Sequence, residues 1–98
     1  MAYIYFIDND SGLTKIGRTR KHPTKRLKEL PFPHLRIKFF FETEFDSKLE
    51  VALHNLYKRN AEGREWFNLN EYNISELKHS CEVLNEGIDA VFNVNNEK

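Results

Sequence analysis

A phenol at Tyr5, an ammonium at Lys15, a guanidinium at Arg26, a carboxylate at Glu50 and an imidazole at His54 lie along this chain at spacings that ordinary secondary structure can bring together. Such a set suits cleavage of a phosphodiester, which needs a base or an oriented water, neutralised phosphoryl oxygens and a stabilised leaving oxygen. Glu50 can hold a divalent cation, Mg²⁺ or Mn²⁺, with most of the coordination shell left to water and substrate phosphate. Arg26 can fork onto a nonbridging oxygen, and Lys15 can bind phosphate or supply a positive field. Tyr5 can orient the attacking water, although a phenol with a pKa of about 10 needs help to act as a base at neutral pH.

All of these residues except Lys15 also have a structural explanation. Ser47-x-x-Glu50 fits a helix capping box, and His54 fits a half-buried imidazole bonded to a neighbour. Arg26 fits a solvated helix face, and Tyr3 and Tyr5 fit ordinary sheet aromatics. Trp66 and Phe67 read as core or lid-anchoring residues before they read as a base-stacking platform. Cys81, at helical spacing with Leu77 and Leu84, belongs in the core. His22 and His34 flank a helix with no metal-ligand spacing between them.

Positioning these groups requires a small set of elements. Residues 3–7 are aromatic and β-branched, residues 13–16 follow after the turn-forming Asp8-Asn9-Asp10-Ser11-Gly12, and the two runs predict an antiparallel hairpin. Pairing Ile7 with Leu13 sets Tyr5 opposite Lys15 and Tyr3 opposite Gly17 on one face, with Ile4, Phe6 and Ile16 on the other. Gly17 lets the backbone come close to a neighbour or ligand. Pro23 opens a helix running to about residue 30, anchored by Leu27 and Leu30 and ended by Pro31-Phe32-Pro33. Residues 35–41 predict a third strand, and Phe39-Phe40-Phe41 implies cover on both faces, as in a central strand. A helix over 47–58 turns Leu49, Leu53 and Leu56 inward and carries Glu50, His54 and Tyr57 along one flank. A last helix starts at Asn73, capped with the help of Glu76, and buries Ile74, Leu77, Cys81 and Leu84. Between them, residues 63–67 are too short to be an independent element. The polar tail after Phe92 is expected to fray.

Charge points to an anionic partner. Seven Lys or Arg fall between Lys15 and Lys28, although the 98-residue chain has a formal net charge of +0. Residues 1–41 carry nine basic against three acidic side chains, and residues 42–98 carry six against twelve. A basic patch on a neutral molecule concentrates anions, and Arg18, Arg20, Lys21, Lys25 and Lys28 are the candidate nucleic-acid contacts. The opposite-charge halves also offer a route to a homodimer. A single cysteine, Cys81, excludes an intramolecular disulfide and a cysteine-based zinc cluster and fits an intracellular setting. No apolar run reaches the roughly 20 residues of a membrane span, and the N-terminus lacks a signal-peptide pattern. The length suits one domain over 1–98.

At these same residues the chain resembles the GIY-YIG endonucleases. Tyr3-Ile4-Tyr5 is similar to the first motif, Lys15-Ile16-Gly17 to the second, Arg26-Leu27 to the helix arginine and Glu50 to the metal-binding acid. The compact phage and large-virus branch is more similar still: Lys15 to Thr19, Arg26-Leu27, Glu50 to His54 and Glu65-Trp66-Phe67 follow its order. The resemblance implies an α+β fold with a three-stranded antiparallel sheet flanked by about three helices. It also implies metal-dependent hydrolysis of DNA by a single-cation mechanism; as a nuclease the chain would cut branched, single-stranded or nicked DNA, or need another domain for targeting. Two positions depart from the pattern: Tyr3 stands where the first motif has glycine, and Lys15 where the second has tyrosine. Asn68 is the nearest counterpart of the family's late asparagine. A nucleic-acid-binding module without hydrolysis and a protein-interaction domain with a basic face are the alternative functions.

Overall fold

Asn9 sets the first hairpin. Its side-chain oxygen accepts the backbone N–H groups of Ser11 and Leu13 at 2.9 and 3.0 Å, and Gly12 takes a φ of 81°, where an L side chain is strained. In this computed structural model, in which residues 1–32 and 34–93 are described, the turn joins β1 (Ala2–Asp8) to an antiparallel β2 (Thr14–Thr19). The register pairs Ile7 with Lys15, Tyr5 with Gly17 and Tyr3 with Thr19. That is two residues away from the expected pairing of Ile7 with Leu13. Asn9 draws Leu13 into the turn, so the loop spans residues 9–13 instead of 8–12. Because side chains alternate with period two, this slip leaves every one on its expected face.

The sheet has four strands in the order β3-β1-β2-β4, where β3 is Arg36–Thr43 and β4 is Trp66–Phe67. All neighbours are antiparallel. The expected three-stranded sheet therefore gains a short fourth member from the segment read as too brief to form an element. β3 is also an edge strand, not the central strand that three consecutive phenylalanines suggested. Phe39 and Phe41 pack against the core while Phe40 stays 41% exposed, its ring set edge-on to Tyr3 and His22. β1 is the strand covered on both faces: Ile4 and Phe6 on one, Tyr5 and Ile7 on the other, are all buried.

The core side of the sheet receives α2 (Asp46–Leu56) and α4 (Leu77–Phe92). Ile4, Phe6, Ile16 and Phe67 meet Leu49, Leu53, Tyr57, Leu77 and Cys81 there; each large apolar side chain so buried is worth about 1.5–3 kcal/mol. α2 ends two residues before its expected limit, in a 3₁₀ turn over Lys58–Asn60. Leu56 consequently points outward and Tyr57 takes the inward place. α1 (Pro23–Glu29) begins at Pro23, with His22 Nδ1 accepting the Thr24 N–H at 3.2 Å. Its buried anchor is Pro23; Leu27 and Leu30 are only half covered. Asn70, not Asn73, caps the C-terminal helical region: Asn70 and Asn73 form a reciprocal capping box that starts α3 (Glu71–Ser75), and the chain re-enters helix at Leu77. Among the described residues no helix is long and apolar enough to cross a membrane. Pro33 and the part of the expected frayed tail at 94–98 lie outside the described residues.

Candidate active site

β4 pairs with β2 only at Thr14 and Lys15. Beyond that point the outer edge of β2 is satisfied piecemeal. The Ile16 N–H donates to the Glu65 carbonyl at 3.0 Å, and His54 Nε2 donates to the Ile16 carbonyl at 2.9 Å. Facing a carbonyl, Nε2 must carry the ring proton. This bond clamps α2 to the open sheet edge. Glu50, one turn before His54, is thereby brought to the mouth of the opposite face.

A cleft of about 370 Å³ opens there, lined by Tyr5, Lys15, Arg26 and Glu50 together with Arg18, Thr19, Arg20, Asp46 and Glu65. Four of the five residues singled out for chemistry thus converge from β1, β2, α1 and α2. His54 does not line the cleft; it sits behind Glu50 with its ring edge-on to Phe67 at 5.1 Å.

Tyr5 forms part of the cleft with little of its surface accessible. Its ring lies against Gly17, where an added Cβ would come within 2.4 Å of Oη and 2.5 Å of Cζ. The close approach expected of Gly17 is therefore to this phenol. Lys15 is 6% exposed and forms an ion pair with Glu65, its ammonium 5.9 Å from the centre of the Trp66 ring. Arg26, 39% exposed, reaches Glu29 at 3.7 Å and keeps most of its donor capacity for the cleft.

The expected Ser47–Glu50 capping box does not form. Phe45 is the N-cap and makes no side-chain cap bond, while Thr43 Oγ1 accepts the Phe45 N–H at 2.9 Å. The Glu50 carboxylate instead faces Arg18, whose Nε lies 3.5 Å away. Burial pushes the Glu50 carboxyl above its ordinary value and outweighs the opposing pull of His54, Arg18 and Lys15.

Of the basic residues expected to meet nucleic acid, Arg18 and Arg20 line the cleft. Lys21 is paired with Glu29, and Lys25 and Lys28 are exposed on α1. Asp46 and Glu65 are cleft residues that the sequence reading missed. The signal for Asp46 was its place four residues before Glu50, on the same helical face. Glu65 was visible only as part of the Glu65-Trp66-Phe67 run. Both acids pair with cleft cations, so the acidic and basic halves of the chain meet inside one molecule.

Among the described residues no group of three or more His, Cys, Asp or Glu is arranged to hold a metal ion. The donor set does suit Mg²⁺ bound through one or two carboxylates, with water and phosphate completing an oxygen shell. A guanidinium already occupies the cationic position beside Glu50, so the carboxylate is set up for a positive partner.

The fold is a small mixed α/β domain, an antiparallel sheet flanked by helices that matches a compact GIY-YIG-like topology in general terms. The chain belongs to the T5orf172 domain family, whose model matches residues 1–86; that family is associated with GIY-YIG-like nuclease folds. Neither the curated proteins nor the solved structures yield a match.

Proposed function

We propose that this domain is a divalent-metal-dependent endonuclease that hydrolyses DNA phosphodiester bonds, a compact member of the GIY-YIG type. The observation that carries the reading is the convergence of Tyr5, Lys15, Arg26 and Glu50 on one cleft. Glu50 holds Mg²⁺ or Mn²⁺, which when bound polarises the phosphoryl oxygens and acidifies coordinated water. Arg26 forks onto a nonbridging oxygen and is stronger there than a lysine, because its planar donors match two acceptors at once. Arg20, without an ion pair among the described residues, adds a second positive contact along the backbone. Tyr5 orients the water through its hydroxyl, and the packed ring keeps that oxygen in place.

Lys15 acts differently from a free phosphate ligand. With its charge matched by Glu65, it contributes position more than net charge, and the excess positive charge of the cleft rests on the arginines. His54 is a positioning residue that keeps Glu50 at the cleft mouth. Arg18 and Arg20 meet the substrate first, with Lys21, Lys25 and Lys28 on the flanking surface. Branched or single-stranded DNA suits a domain of this size, with no added groove-reading element among the described residues.

A second reading, a nucleic-acid-binding module that does not cut, draws on the same Lys15–Glu65 pair, because an ammonium stands where the resemblance puts a second phenol. The experiment that decides uses branched and linear DNA with Mg²⁺ or Mn²⁺. Metal-dependent cleavage lost in Glu50→Ala and Arg26→Ala, with the fold retained by circular dichroism, supports the nuclease. Binding without cleavage across these substrates and metals transfers support to the module. No affinity even at low salt, where phosphate contacts are strongest, removes both readings.

A further inference from the structure

Arg18 follows Gly17 on β2, beyond the reach of β4, and its guanidinium spans two carboxylates of α2. Nη1 lies 3.2 Å from Asp46 Oδ2 in a hydrogen bond, and Nε lies 3.5 Å from Glu50 Oε1 in a looser ion pair. The two acids stand a helical turn apart on one face, with side chains only 16% and 19% exposed, whereas Arg18 is 49% exposed. The carboxylates are thus held by the helix, and the arginine is the partner free to rearrange. Its two ends are unequal: the Asp46 contact is the tighter, and Glu50 is the end that lets go first. All three residues line the same cleft as Tyr5 and Arg26.

We propose that Arg18 is an internal counter-cation of Glu50, which yields that carboxylate to a divalent cation and, still tethered to Asp46, presents its released N–H edge to a substrate phosphate. The inference rests on the metal-dependent reading above. One guanidinium cannot serve Glu50 and a phosphate oxygen through the same Nε–H at once. Occupancy of Glu50 by a cation therefore frees a phosphate donor, and a phosphate on Arg18 frees Glu50. Linkage makes the two effects equal: DNA tightens the cation by the factor by which the cation tightens DNA. Arg18 also keeps Glu50 from carrying an unmatched charge before the cation arrives, which is the state that burial penalises most.

The test reads Mn²⁺ binding directly, by loss of the free-ion electron paramagnetic resonance signal, with and without a phosphorothioate oligonucleotide that resists cleavage. Arg18→Gln is expected to bind Mn²⁺ about 1.5- to fivefold more tightly than the parent without oligonucleotide, the factor expected for loss of one partly exposed ion pair. The oligonucleotide is expected to tighten Mn²⁺ binding several-fold in the parent and hardly at all in Arg18→Gln. Arg20→Gln removes an equal charge from the same cleft without touching Glu50, and is expected to change Mn²⁺ affinity less than Arg18→Gln. Equal gains in the two variants reduce the effect to general cleft charge and overturn the inference. So does unchanged or weaker Mn²⁺ binding in Arg18→Gln, provided the parent binds Mn²⁺ and Glu50→Ala does not; the metal-dependent reading then survives alone. If the parent fails to bind Mn²⁺, or Glu50→Ala binds it equally well, the assignment of the cation to Glu50 falls and the inference falls with it.

Discussion

Gly17→Ala is the substitution whose effect the structure determines most closely. The added methyl carbon would sit 2.4 Å from Tyr5 Oη, 2.5 Å from Cζ and 2.9 Å from Cε1, distances that no relaxed contact tolerates. Tyr5 is 2% exposed and cannot swing into solvent. Relief must come from moving a packed ring or separating two paired strands, and overpacking of this kind costs about 1–3 kcal/mol. For a domain of this size each kcal/mol lowers Tm by roughly 4–8 °C. Urea titration gives the stability, with an unchanged m-value showing that the unfolding reaction is the same. The diagnostic form is a double-mutant cycle with Tyr5→Ala, which removes all three offending atoms. Gly17→Ala should then cost little or nothing, leaving a coupling of about 1–3 kcal/mol. Tyr5→Phe should relieve the strain only in part, because Cζ and Cε1 remain. An equal cost of Gly17→Ala in the parent and Tyr5→Ala backgrounds would refute the claim that the glycine exists to admit the phenol. Gly87→Ala is the counterpart within α4: nothing lies within 4 Å of its added carbon, and it should stabilise by about 0.5–1 kcal/mol.

Three further expectations follow from other parts of the molecule. Glu50 has a raised folded pKa, so the native state takes up its proton before the unfolded chain does. Its ionised form therefore costs stability at neutral pH, and the cost fades as pH falls through that raised value. Glu50→Gln should increase the urea midpoint at about pH 7 and give no gain below about pH 4, while cation binding in the parent should fail on acidification at a pH above the ordinary 4.5. A lower midpoint in Glu50→Gln at neutral pH contradicts this. His22→Ala removes the acceptor for the Thr24 N–H and should cost about 1 kcal/mol in urea titration, with amide exchange speeding first in α1. Glu65→Ala strands the buried Lys15 ammonium and should cost about 1–3 kcal/mol; Lys15→Met combined with Glu65→Ala should recover most of it, and a double variant as unstable as the single one would be the contrary result.

Which residues share a face was more legible in the sequence than the order of the strands. Tyr5 and Lys15 were placed on one face by strand alternation alone, and that survived a two-residue slip in register because the slip was even. Pro23 marked the start of α1 because its fixed φ and missing N–H suit a first turn. The order of strands was less accessible. Phe39-Phe40-Phe41 looks buried on both faces, yet an aromatic ring can satisfy itself sideways, as Phe40 does against Tyr3 and His22. The α2 cap misled for a related reason. A Ser-x-x-Glu spacing names a box that geometry permits, but the helix begins at Asp46 with Phe45 as its N-cap, so Ser47 lies inside the first turn and Glu50 is left to the cleft. Asp46 and Glu65 were hidden because their importance comes from the cations opposite them, and those pairings are long-range. Helical spacing puts His54 one turn from Glu50, but only the open edge of β2 reveals what its imidazole holds.

The shortness of β4 also bears on how the sheet edge can meet another chain. Two residues of pairing leave Ile16 to be closed by one side chain and one loop carbonyl. A longer β4 would finish the sheet edge in the usual way and wall off the approach to Glu50. A sheet border left open is also a place where a strand from another molecule can add. His54 thus stands guard at a border that the cleft requires to stay open. Its replacement by alanine should promote strand addition between molecules, which sedimentation would register as a larger rise of mass with protein concentration than the parent shows.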